Sequence, residues 1–509
     1  MTKLDCVFIA PNSAAAAYQA LSERFSAIEP PTWALLLAES CRSRGFVAAI
    51  IDADAERLQP TEVARRVSEI APRLVCIVVY GQNPNSGTLN MVGAIAIAEQ
   101  IKQDYPDVPV AIVGSHVSAL PEEVLNLACI DIVLLNEGVY ALHSLLASGL
   151  DSRDLKKIRG IGHKSDGHLV LNDPERVVPQ ERMDIDLPGY AWDLLPYRAK
   201  PLDLYRAHVW HADFDESKRS PFAAIYTSLG CRYGCDFCMI NILNRQDNRA
   251  GVSAADSRVM RNWSSDLIIR ELQKLKSLGV STIRISDEMF FLSPKHFEPL
   301  VTSKTLHELD LRMWAYARVD TVRNRYLEMF HNAGIRWLAL GIESGAQHVR
   351  REVSKGTFKD VDIREVVGTI QEHDINVISN YIFGFEHENR ADMQTTLDLA
   401  LELNTEMANM YPCHALPGSP MYSRAVKEGK DVPRRYEEFG FLSYETRPLP
   451  TKYLSSEEVL KFRDQAWQTY FTNPRYLSLV ESKFGYEQRA NVEAMASIRL
   501  KRKILGDKP

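Results

Sequence analysis

The stretch Cys231-Arg232-Tyr233-Gly234-Cys235-Asp236-Phe237-Cys238 places three cysteines within eight residues, at the end of an apolar run. The next cysteine along the chain is Cys413. A zinc site built from cysteines normally has four ligands, and a disulfide framework needs an even number of cysteines in an oxidising compartment. Three thiolates on one short loop therefore leave one metal position open.

The candidate metal ligands are the three cysteines of this loop, Cys231, Cys235 and Cys238. Thiolate-rich sites favour iron–sulfur clusters, and a [4Fe–4S] cluster held by three thiolates presents one iron to an outside ligand. Zinc stays an alternative on spacing alone, because short cysteine motifs have false positives. Unligated buried cysteines fit less well, since Arg232, Gly234 and Asp236 describe a polar loop.

The spacing Cys-x3-Cys-x2-Cys, with Phe237 before the last cysteine, resembles the signature of the radical S-adenosylmethionine (SAM) enzymes. The resemblance implies that the three cysteines are the catalytic residues, that they hold a [4Fe–4S] cluster, and that SAM binds its open iron. It places Phe237 among the cofactor-binding residues. It also implies a reducing partner such as flavodoxin or ferredoxin.

Length and composition limit the function classes. A chain of 509 residues is long enough for two or three domains with substantial cores. The net charge of -6 gives no electrostatic argument for a nucleic-acid partner, so a small-molecule substrate fits better. No apolar segment approaches the roughly 18 residues that span a bilayer, so we expect a cytoplasmic protein with no membrane partner. The scattered Cys6, Cys41, Cys76 and Cys129 are expected to be buried small hydrophobes.

Residues 1–148 predict a Rossmann-like α/β domain in which short Val- and Ile-rich runs alternate with amphipathic stretches. Apolar strands without alternation indicate burial on both faces, which predicts a five-stranded parallel sheet covered by helices. The predicted strands are Leu4–Ala10, Phe46–Asp52, Leu74–Tyr80, Val108–Gly114 and Ile130–Leu135.

The loops that follow these strands are the candidate ligand-binding loops of the N-terminal domain, because ligands bind beyond the carboxyl ends of parallel strands. No Gly-x-Gly-x-x-Gly follows the first strand, which argues against a nicotinamide cofactor. The domain resembles the cobalamin-binding domains that precede many radical SAM enzymes, including the stretch Gly114–Glu123. The cofactor-binding residues that this resemblance implies are Gln82, Asn83, Gly114, Ser115, His116, Glu137 and Gly138.

His116, Gln82 and Asn83 are the positions that could face the lower side of cobalt. The chain lacks the Asp-x-His-x-x-Gly loop by which other cobalamin proteins place a histidine under the metal. His116 is more simply a hydrogen-bonding loop residue than a ligand. The loop around Gln82 and Asn83 is the better candidate for that face, so cobalamin is expected to bind without a protein imidazole.

Residues 149–220 read as a linker that wraps the domains, and residues 221–430 predict a partial (β/α)6 barrel with working residues at the carboxyl ends of its strands. The predicted strands are Ala223–Leu229, Thr282–Ser286, Leu311–Val319, Arg336–Ile342, Asn376–Phe383 and Glu406–His414. A helix is predicted at Ser265–Leu278. Residues 431–509 predict a helical C-terminal segment in which Ser455 and Glu458 cap a helix.

Polar residues follow the strands of the predicted barrel, and the family resemblance implies that they bind SAM. The implied SAM-binding residues are Ser286, Asp287, Glu288, Arg318, Glu343, Ser344 and Ile382. Simpler roles stay open: Asp287 and Glu343 are alternatively helix caps or loop carboxylates, and Arg318 alternatively pairs only with Asp320.

The leading hypothesis is a cobalamin-dependent radical SAM methyltransferase, most like the methylase branch of the family. It would transfer a methyl group from methylcobalamin, by way of a 5′-deoxyadenosyl radical, to an unactivated carbon or a phosphinate phosphorus of a small metabolite. The alternative is a cyclase or ring-rearranging enzyme with the same cofactors and no methyl transfer. A cobalamin-sensing binding module is a third hypothesis, against which the cysteine loop argues. RNA methylthiolation is disfavoured, because no second cysteine triad or basic RNA-binding tail domain is visible.

Overall fold

The computed structural model describes residues 4–80, 84–165, 167–196, 204–207, 221–244, 258–354, 358 and 360–509. Within these residues the strands are β1 (Cys6–Ala10), β2 (Ala48–Asp52), β3 (Leu74–Val79), β4 (Val110–Gly114), β5 (Ile132–Leu134), β6 (Ile161–Ser165), β7 (His168–Leu171), β8 (Phe222–Ile225), β9 (Ser228–Leu229), β10 (Arg261–Asn262), β11 (Thr282–Ile285), β12 (Arg312–Arg318), β13 (Ile335–Glu343), β14 (Asn376–Phe383) and β15 (Met407–Pro412).

The α-helices cover the faces of the sheets and fill the C-terminal segment. They are α1 (Ala14–Tyr18), α2 (Leu21–Arg24), α3 (Thr32–Arg42), α4 (Pro60–Ile70), α5 (Gly87–Asp104), α6 (Ser115–Ala119), α7 (Pro121–Leu125), α8 (Val139–Ala147), α9 (Ser152–Leu155), α10 (Met183–Asp186), α11 (Ser265–Ser277), α12 (Pro294–Val301), α13 (Lys304–Glu308), α14 (Leu327–Asn332), α15 (Gln347–Val353), α16 (Ile363–Glu372), α17 (Arg390–Leu403), α18 (Pro420–Lys427), α19 (Ser456–Phe471), α20 (Pro474–Phe484) and α21 (Tyr486–Ser497).

The N-terminal sheet contains the predicted parallel strands and extends beyond them. Its order is β2-β1-β3-β4-β5-β6-β7, with β1 to β5 parallel and β6 and β7 antiparallel. The described sheet therefore has seven strands rather than the predicted five, and its last two lie in the segment predicted as a linker. They were missed because β7 is half exposed, so its sequence lacks the continuous apolar run that marked the other strands.

Both faces of this sheet are buried, which explains its continuous apolar strands. All six residues of β3 are buried. Val75 and Ile77 pack in a cluster that belongs to the N-terminal domain, whereas Leu74 and Cys76 pack in the cluster that continues into the barrel. One face of the N-terminal sheet thus shares its core with the rest of the molecule. Cys6, Cys41, Cys76 and Cys129 are buried here, as expected.

The second sheet is an open, parallel half-barrel. Within the described residues it has six strands in the order β15-β14-β13-β12-β11-β8. The predicted strand Ala223–Leu229 is split, because only its first half joins this sheet as β8, while β9 pairs with β10 in a separate ribbon. All the carboxyl ends therefore point to one edge, just beyond which the cysteine loop begins.

Helix α19 packs beside β15 at the open edge of the half-barrel. It begins at the predicted cap, where the Ser455 side chain accepts a hydrogen bond from the Glu458 amide in a capping box. The Tyr470 hydroxyl donates to the Thr405 carbonyl at 2.7 Å. No helix in the described parts of the chain combines the length and apolarity needed to cross a membrane.

The last residues of the chain fasten the C-terminal segment through a buried arginine. The Arg502 guanidinium donates to both carboxylate oxygens of Asp464, each at 2.9 Å, and to the Ser443 carbonyl at 2.8 Å. The Arg502 side chain is 1% exposed. Removing one partner of a buried ion pair lowers stability, because the other charge is left buried without a partner.

Replacing Arg502 by methionine is expected to lower the free energy of unfolding by about 3 kcal/mol, because Asp464 and the Ser443 carbonyl lose their donor. Arg499→Met is the matched control, since Arg499 pairs with Asp507 but is 82% exposed, and it should cost less than about 1 kcal/mol. Urea unfolding followed by far-UV circular dichroism measures both variants. Equal losses would contradict the anchoring role of Arg502.

Candidate functional site

A cavity of about 770 Å³ lies between the N-terminal sheet, the half-barrel and helix α19. This volume is within the range of small-molecule sites. Its walls include most of the predicted cluster- and SAM-binding residues, namely Cys231, Cys235, Phe237, Cys238, Ser286, Asp287, Glu288, Arg318, Glu343 and Ile382. The carboxyl ends of β1 and β3 line the opposite wall through Ala10, Val78 and Tyr80. The two parallel sheets thus open onto one space.

The cysteine loop is held in a defined shape by Asn241. The Asn241 side chain accepts a hydrogen bond from the Cys231 amide at 2.9 Å and donates to the Tyr233 carbonyl at 3.1 Å. The Tyr233 amide in turn donates to Cys231 Sγ at 3.4 Å. These contacts fix the first turn of the loop, so the thiols are placed by the fold before any metal is bound.

The second half of the loop is tied to the far side of the half-barrel. Asp236 receives two hydrogen bonds from the Arg424 guanidinium, at 2.9 and 2.5 Å. Arg424 also donates to Glu386. The Phe237 ring lies 5.5 Å from the Phe385 ring, centroid to centroid. The loop therefore bridges the first strand of the half-barrel and the segments after β14 and β15.

The donor set of this wall fits a thiolate-ligated cluster. All three thiols are partly accessible, and burial raises the pKa of Cys231 to about 12 and that of Cys235 to about 11. Within the described residues no three Cys, His, Asp or Glu side chains are grouped as ligands of a single metal ion. In a [4Fe–4S] cluster each thiolate binds a different iron, so cluster ligation spreads the thiols apart.

Arg318 lies against the cysteine loop. Its guanidinium sits 3.7 Å from the centroid of the Tyr233 ring and donates to both oxygens of Asp320, at 2.6 and 2.7 Å. The predicted alternative of an Arg318–Asp320 pair is therefore present in the structure. Because Arg318 also lines the cavity, pairing with Asp320 orients it there, and the stacking limits its motion.

Asp287 is fully buried, and both of its carboxylate oxygens accept hydrogen bonds. It accepts hydrogen bonds from the Thr227 amide at 2.6 Å, the Thr227 hydroxyl at 2.5 Å and the Ser228 hydroxyl at 2.6 Å. These bonds tie the end of β11 to the chain leading into the cysteine loop. Asp287 therefore positions the backbone of Ser286 and Glu288, which line the cavity beside it.

Glu343 ends β13 in a left-handed backbone conformation, with φ of 67°. Such a conformation costs a non-glycine residue of order 1–3 kcal/mol and is often found at functional sites. The register with β14 shifts at this point, and Glu343 lines the cavity. Burial raises the pKa of Glu343 to about 7, and the nearby Arg318 opposes that rise.

Ser344, in contrast, is directed away from the cavity. It is fully buried, and its hydroxyl lies 3.2 Å from a carboxylate oxygen of Glu388 and 3.1 Å from the Thr396 hydroxyl. Glu388 also accepts hydrogen bonds from the Gly384 and Phe385 amides, at 2.7 and 3.2 Å. Glu388 joins the chain after β13 to the chain after β14 and was not predicted from the sequence.

The predicted cobalamin-binding residues that the structure describes are Gly114, Ser115, His116, Glu137 and Gly138, and none of them is among those that line the cavity. His116 is 1% exposed, with its ring nitrogens 3.1 Å from the Thr88 hydroxyl and 3.2 Å from a Glu123 oxygen. Gly114 leaves no room for a Cβ, which would lie 2.3 Å from the Val79 carbonyl oxygen. Ser115 is fully buried beside it. Gln82 and Asn83 lie outside the described residues.

Glu137 makes a contact between the N-terminal domain and the ribbon formed by β9 and β10. Its carboxylate pairs with Arg261 at 2.8 Å, and both side chains are 4% exposed. Gly138 follows with φ of 75° and begins α8, so its left-handed conformation suits glycine. These two residues shape the end of β5, next to the cavity wall formed by Trp33 and Tyr80.

A second pair of charges between domains was missed in the sequence. Arg284 of β11 pairs with Glu29 of the N-terminal domain at 2.5 Å, with the side chains 4% and 9% exposed. The guanidinium lies 5.0 Å from the centroid of the Tyr316 ring. All three residues line the cavity. The available signal was an arginine in the middle of a predicted buried strand, where a charge requires a partner.

Comparison with known proteins agrees with this architecture. Residues 19–146 match the model of the B12 binding domain, and residues 225–400 match that of the radical SAM superfamily. The chain is therefore a cobalamin-dependent radical SAM enzyme. Its cofactors are a [4Fe–4S] cluster, SAM and cobalamin.

The relatives of this chain include both methyltransferases and cyclases. An uncharacterized methyltransferase of Pyrococcus horikoshii is 25% identical over 88% of this chain and 89% of its own. The anaerobic magnesium-protoporphyrin IX monomethyl ester cyclase of Rubrivivax gelatinosus is 22% identical over 92% of this chain and 78% of its own. The radical SAM methyltransferase TsrM from Kitasatospora setae superposes with a TM-score of 0.66 at 16% identity, covering 98% of this chain and 100% of TsrM, and so shares the fold.

Glu388 gives a pH-dependent prediction. Burial raises its pKa from about 4.5 to about 7, so between these values the folded chain holds a proton that the unfolded chain has released. Stability should therefore fall as pH rises through this window, by roughly 2–3 kcal/mol relative to Glu388→Gln, and level off above it. Urea unfolding of both proteins at pH 5, 6 and 7 measures the difference. A constant difference would show that Glu388 is ionised throughout.

Proposed function

We propose that the protein is a cobalamin-dependent radical SAM methyltransferase that methylates an unactivated carbon, or a phosphinate phosphorus, of a small metabolite or natural-product precursor. The observation that carries this proposal is the shared cavity. The cysteine loop lines one wall and the carboxyl ends of the N-terminal sheet line the other. A substrate between these walls is within reach of both cofactor sites, and its surroundings exclude bulk water.

When bound, the cluster, SAM and cobalamin supply a 5′-deoxyadenosyl radical and a transferable methyl group. The chain contributes binding and orientation. Cys231, Cys235 and Cys238 hold the cluster, and Phe237 and Ile382 present apolar surface at the same wall, where they flank the adenine of SAM.

The polar groups of SAM are assigned to the strand ends. We assign its carboxylate and ribose to Arg318 and Glu343, and its amino group to the backbone of the segment Ser286–Glu288. Ser344 is given no direct contact with SAM, because its hydroxyl is buried against Glu388 and Thr396. On the other side, the loop containing Gln82 and Asn83 and the end of β4 at Gly114 and Ser115 are assigned to cobalamin, with no imidazole from His116.

The same cofactors also serve a second candidate function, a cyclase or ring-rearranging reaction without methyl transfer. The observation in its favour is the cyclase of Rubrivivax gelatinosus, which is similar along almost the whole chain. For either function we expect a one-electron donor such as flavodoxin or ferredoxin, a small-molecule substrate, a cytoplasmic setting and no nucleic-acid partner.

Cluster ligation is tested with Cys235→Ala. After anaerobic reconstitution with iron, sulfide and cobalamin, this variant should lose the cluster absorbance and at least about 100-fold of the reductive SAM cleavage, because one iron loses its thiolate. Cys129→Ala, in a buried cysteine away from the cavity, is the matched control and should retain both. Stoichiometric zinc in the wild-type protein, or SAM cleavage that survives in Cys235→Ala, would reject the cluster assignment.

Methyl transfer is separated from cyclisation by isotopic labelling. SAM with a ¹³C methyl group is supplied to the reconstituted enzyme with an anaerobic extract of small metabolites and a reductant. We expect mass spectrometry to detect products one labelled methyl group heavier than their precursors. Formation of 5′-deoxyadenosine with no labelled product, together with a product of unchanged carbon count, would favour the cyclase.

A further inference from the structure

The inward-facing side chains of the half-barrel fall into rows across the strands, because paired residues of neighbouring parallel strands point to the same face. One row pairs Arg318 with Gly341, Gly341 with Asn380, and Asn380 with Asn409. The strands are about 4.8 Å apart, so the β15 end of this row lies roughly 14 Å from Arg318. The residues assigned to SAM occupy the other end of the row.

Asn380 and Asn409 form a hydrogen-bond relay whose direction is fixed by the backbone. The Asn380 Nδ2 donates to the Leu340 carbonyl at 3.1 Å, and a carbonyl can only accept. Asn380 must therefore present its Oδ1 to Asn409, which donates its Nδ2 at 3.0 Å. This leaves Asn409 Oδ1 as the outward end of the relay, with no hydrogen-bond partner in the described part of the chain.

The surroundings of Asn409 are aromatic. Tyr411 of β15, Phe441 and Trp467 of α19 line the cavity, and Trp314 and Tyr316 line the same cavity from β12. The Tyr411 and Phe441 rings lie 5.0 Å apart, centroid to centroid. The half-buried phenols of Tyr18, Tyr316 and Tyr411 are close enough to influence one another's ionisation. Flat apolar walls with a few fixed polar atoms are typical of sites for planar small molecules.

Two arginines near this region are each paired with a carboxylate. Arg284 is bound by Glu29, and Arg463, whose Nε donates to the Met410 carbonyl at 2.6 Å, pairs with Asp464 at 2.8 Å. Burial also raises the pKa of Tyr411, so its hydroxyl stays neutral. An anionic substrate group would lose its hydration here and find neither of these two arginines free as a counter-charge.

We propose that Asn409 selects the substrate: the molecule held at the β15 end of the cavity is planar and carries no anionic group there, and it presents an N–H or O–H donor to Asn409 Oδ1. Asn380 is the positioning residue that keeps this acceptor pointing outward. The inference rests on the proposed function only in taking this cavity as the substrate site. An analogue without this donor leaves the Asn409 acceptor unpaired, and an analogue with an acceptor in its place is repelled. Both bind more weakly, which is how a polar site rejects close analogues.

The test compares two probes of nearly equal shape, indole and benzofuran, which differ in that indole has an N–H donor. Binding to the reconstituted full-length protein with SAM is measured anaerobically by ligand-observed NMR. We expect wild type to bind indole about 3- to 10-fold more tightly than benzofuran, the value of one net hydrogen bond. Because this assay needs no methyl transfer, its failure is distinguishable from failure of the proposed function.

Variants of Asn409 and Asn380 test whether the preference for indole depends on the relay. Asn409→Leu should bring the indole-to-benzofuran affinity ratio close to 1 while benzofuran still binds, and Asn409→Ala serves the same purpose if the leucine disturbs folding. Asn380→Leu should also reduce the ratio, because the Asn409 amide is then free to rotate. A purely structural role would weaken both probes equally. An unchanged ratio in the folded Asn409 variants, no preference in wild type, or no binding of either probe would overturn the proposal.

Discussion

The buried ion pair between Glu29 and Arg284 is the interaction on which the site's geometry depends. It joins the N-terminal domain to β11 at the cavity wall, where the two side chains are only 4% and 9% exposed. Removing one partner would leave the other unpaired at a cost of several kcal/mol, so the two domains are held in a fixed relation. The Glu137–Arg261 pair acts in the same way on the neighbouring wall. Together they keep two sheet edges facing each other across one cavity.

The cysteine loop shows how a flexible stretch becomes a metal-binding wall. Its sequence contains little that would fix a conformation by itself, and the structure supplies the constraint from outside. Asn241 holds the first turn, and Arg424 holds Asp236 from beyond β15. Arg318 packs against Tyr233 between them. Cluster binding would then require little ordering of the loop, which lowers the conformational entropy that ligation must overcome.

The sequence was informative where chemistry or periodicity is local. The buried strands of both sheets and the Ser455 cap depend on neighbours in the chain, and these predictions are confirmed in position to within a few residues. Strand β7 is half exposed and lacks such a pattern, and both β6 and β7 lie in the segment that was predicted as a linker. Ser344 was assigned to SAM from its place after β13, yet its side chain bonds to Glu388, a direction that tertiary packing decides.

Partners far apart in sequence account for most of what was missed. Glu29 and Arg284 are separated by 255 positions, and the local sequence around either residue does not predict the other as its partner. The same limit applies to Asn380 and Asn409, whose relay exists only because β14 and β15 pair in one register. A slip of β15 by one residue would turn the Asn409 amide away from the cavity and break the relay, since successive side chains alternate between faces. The acceptor that Asn409 offers is therefore a property of strand register, and the polarity of the relay follows from a single backbone carbonyl that cannot donate.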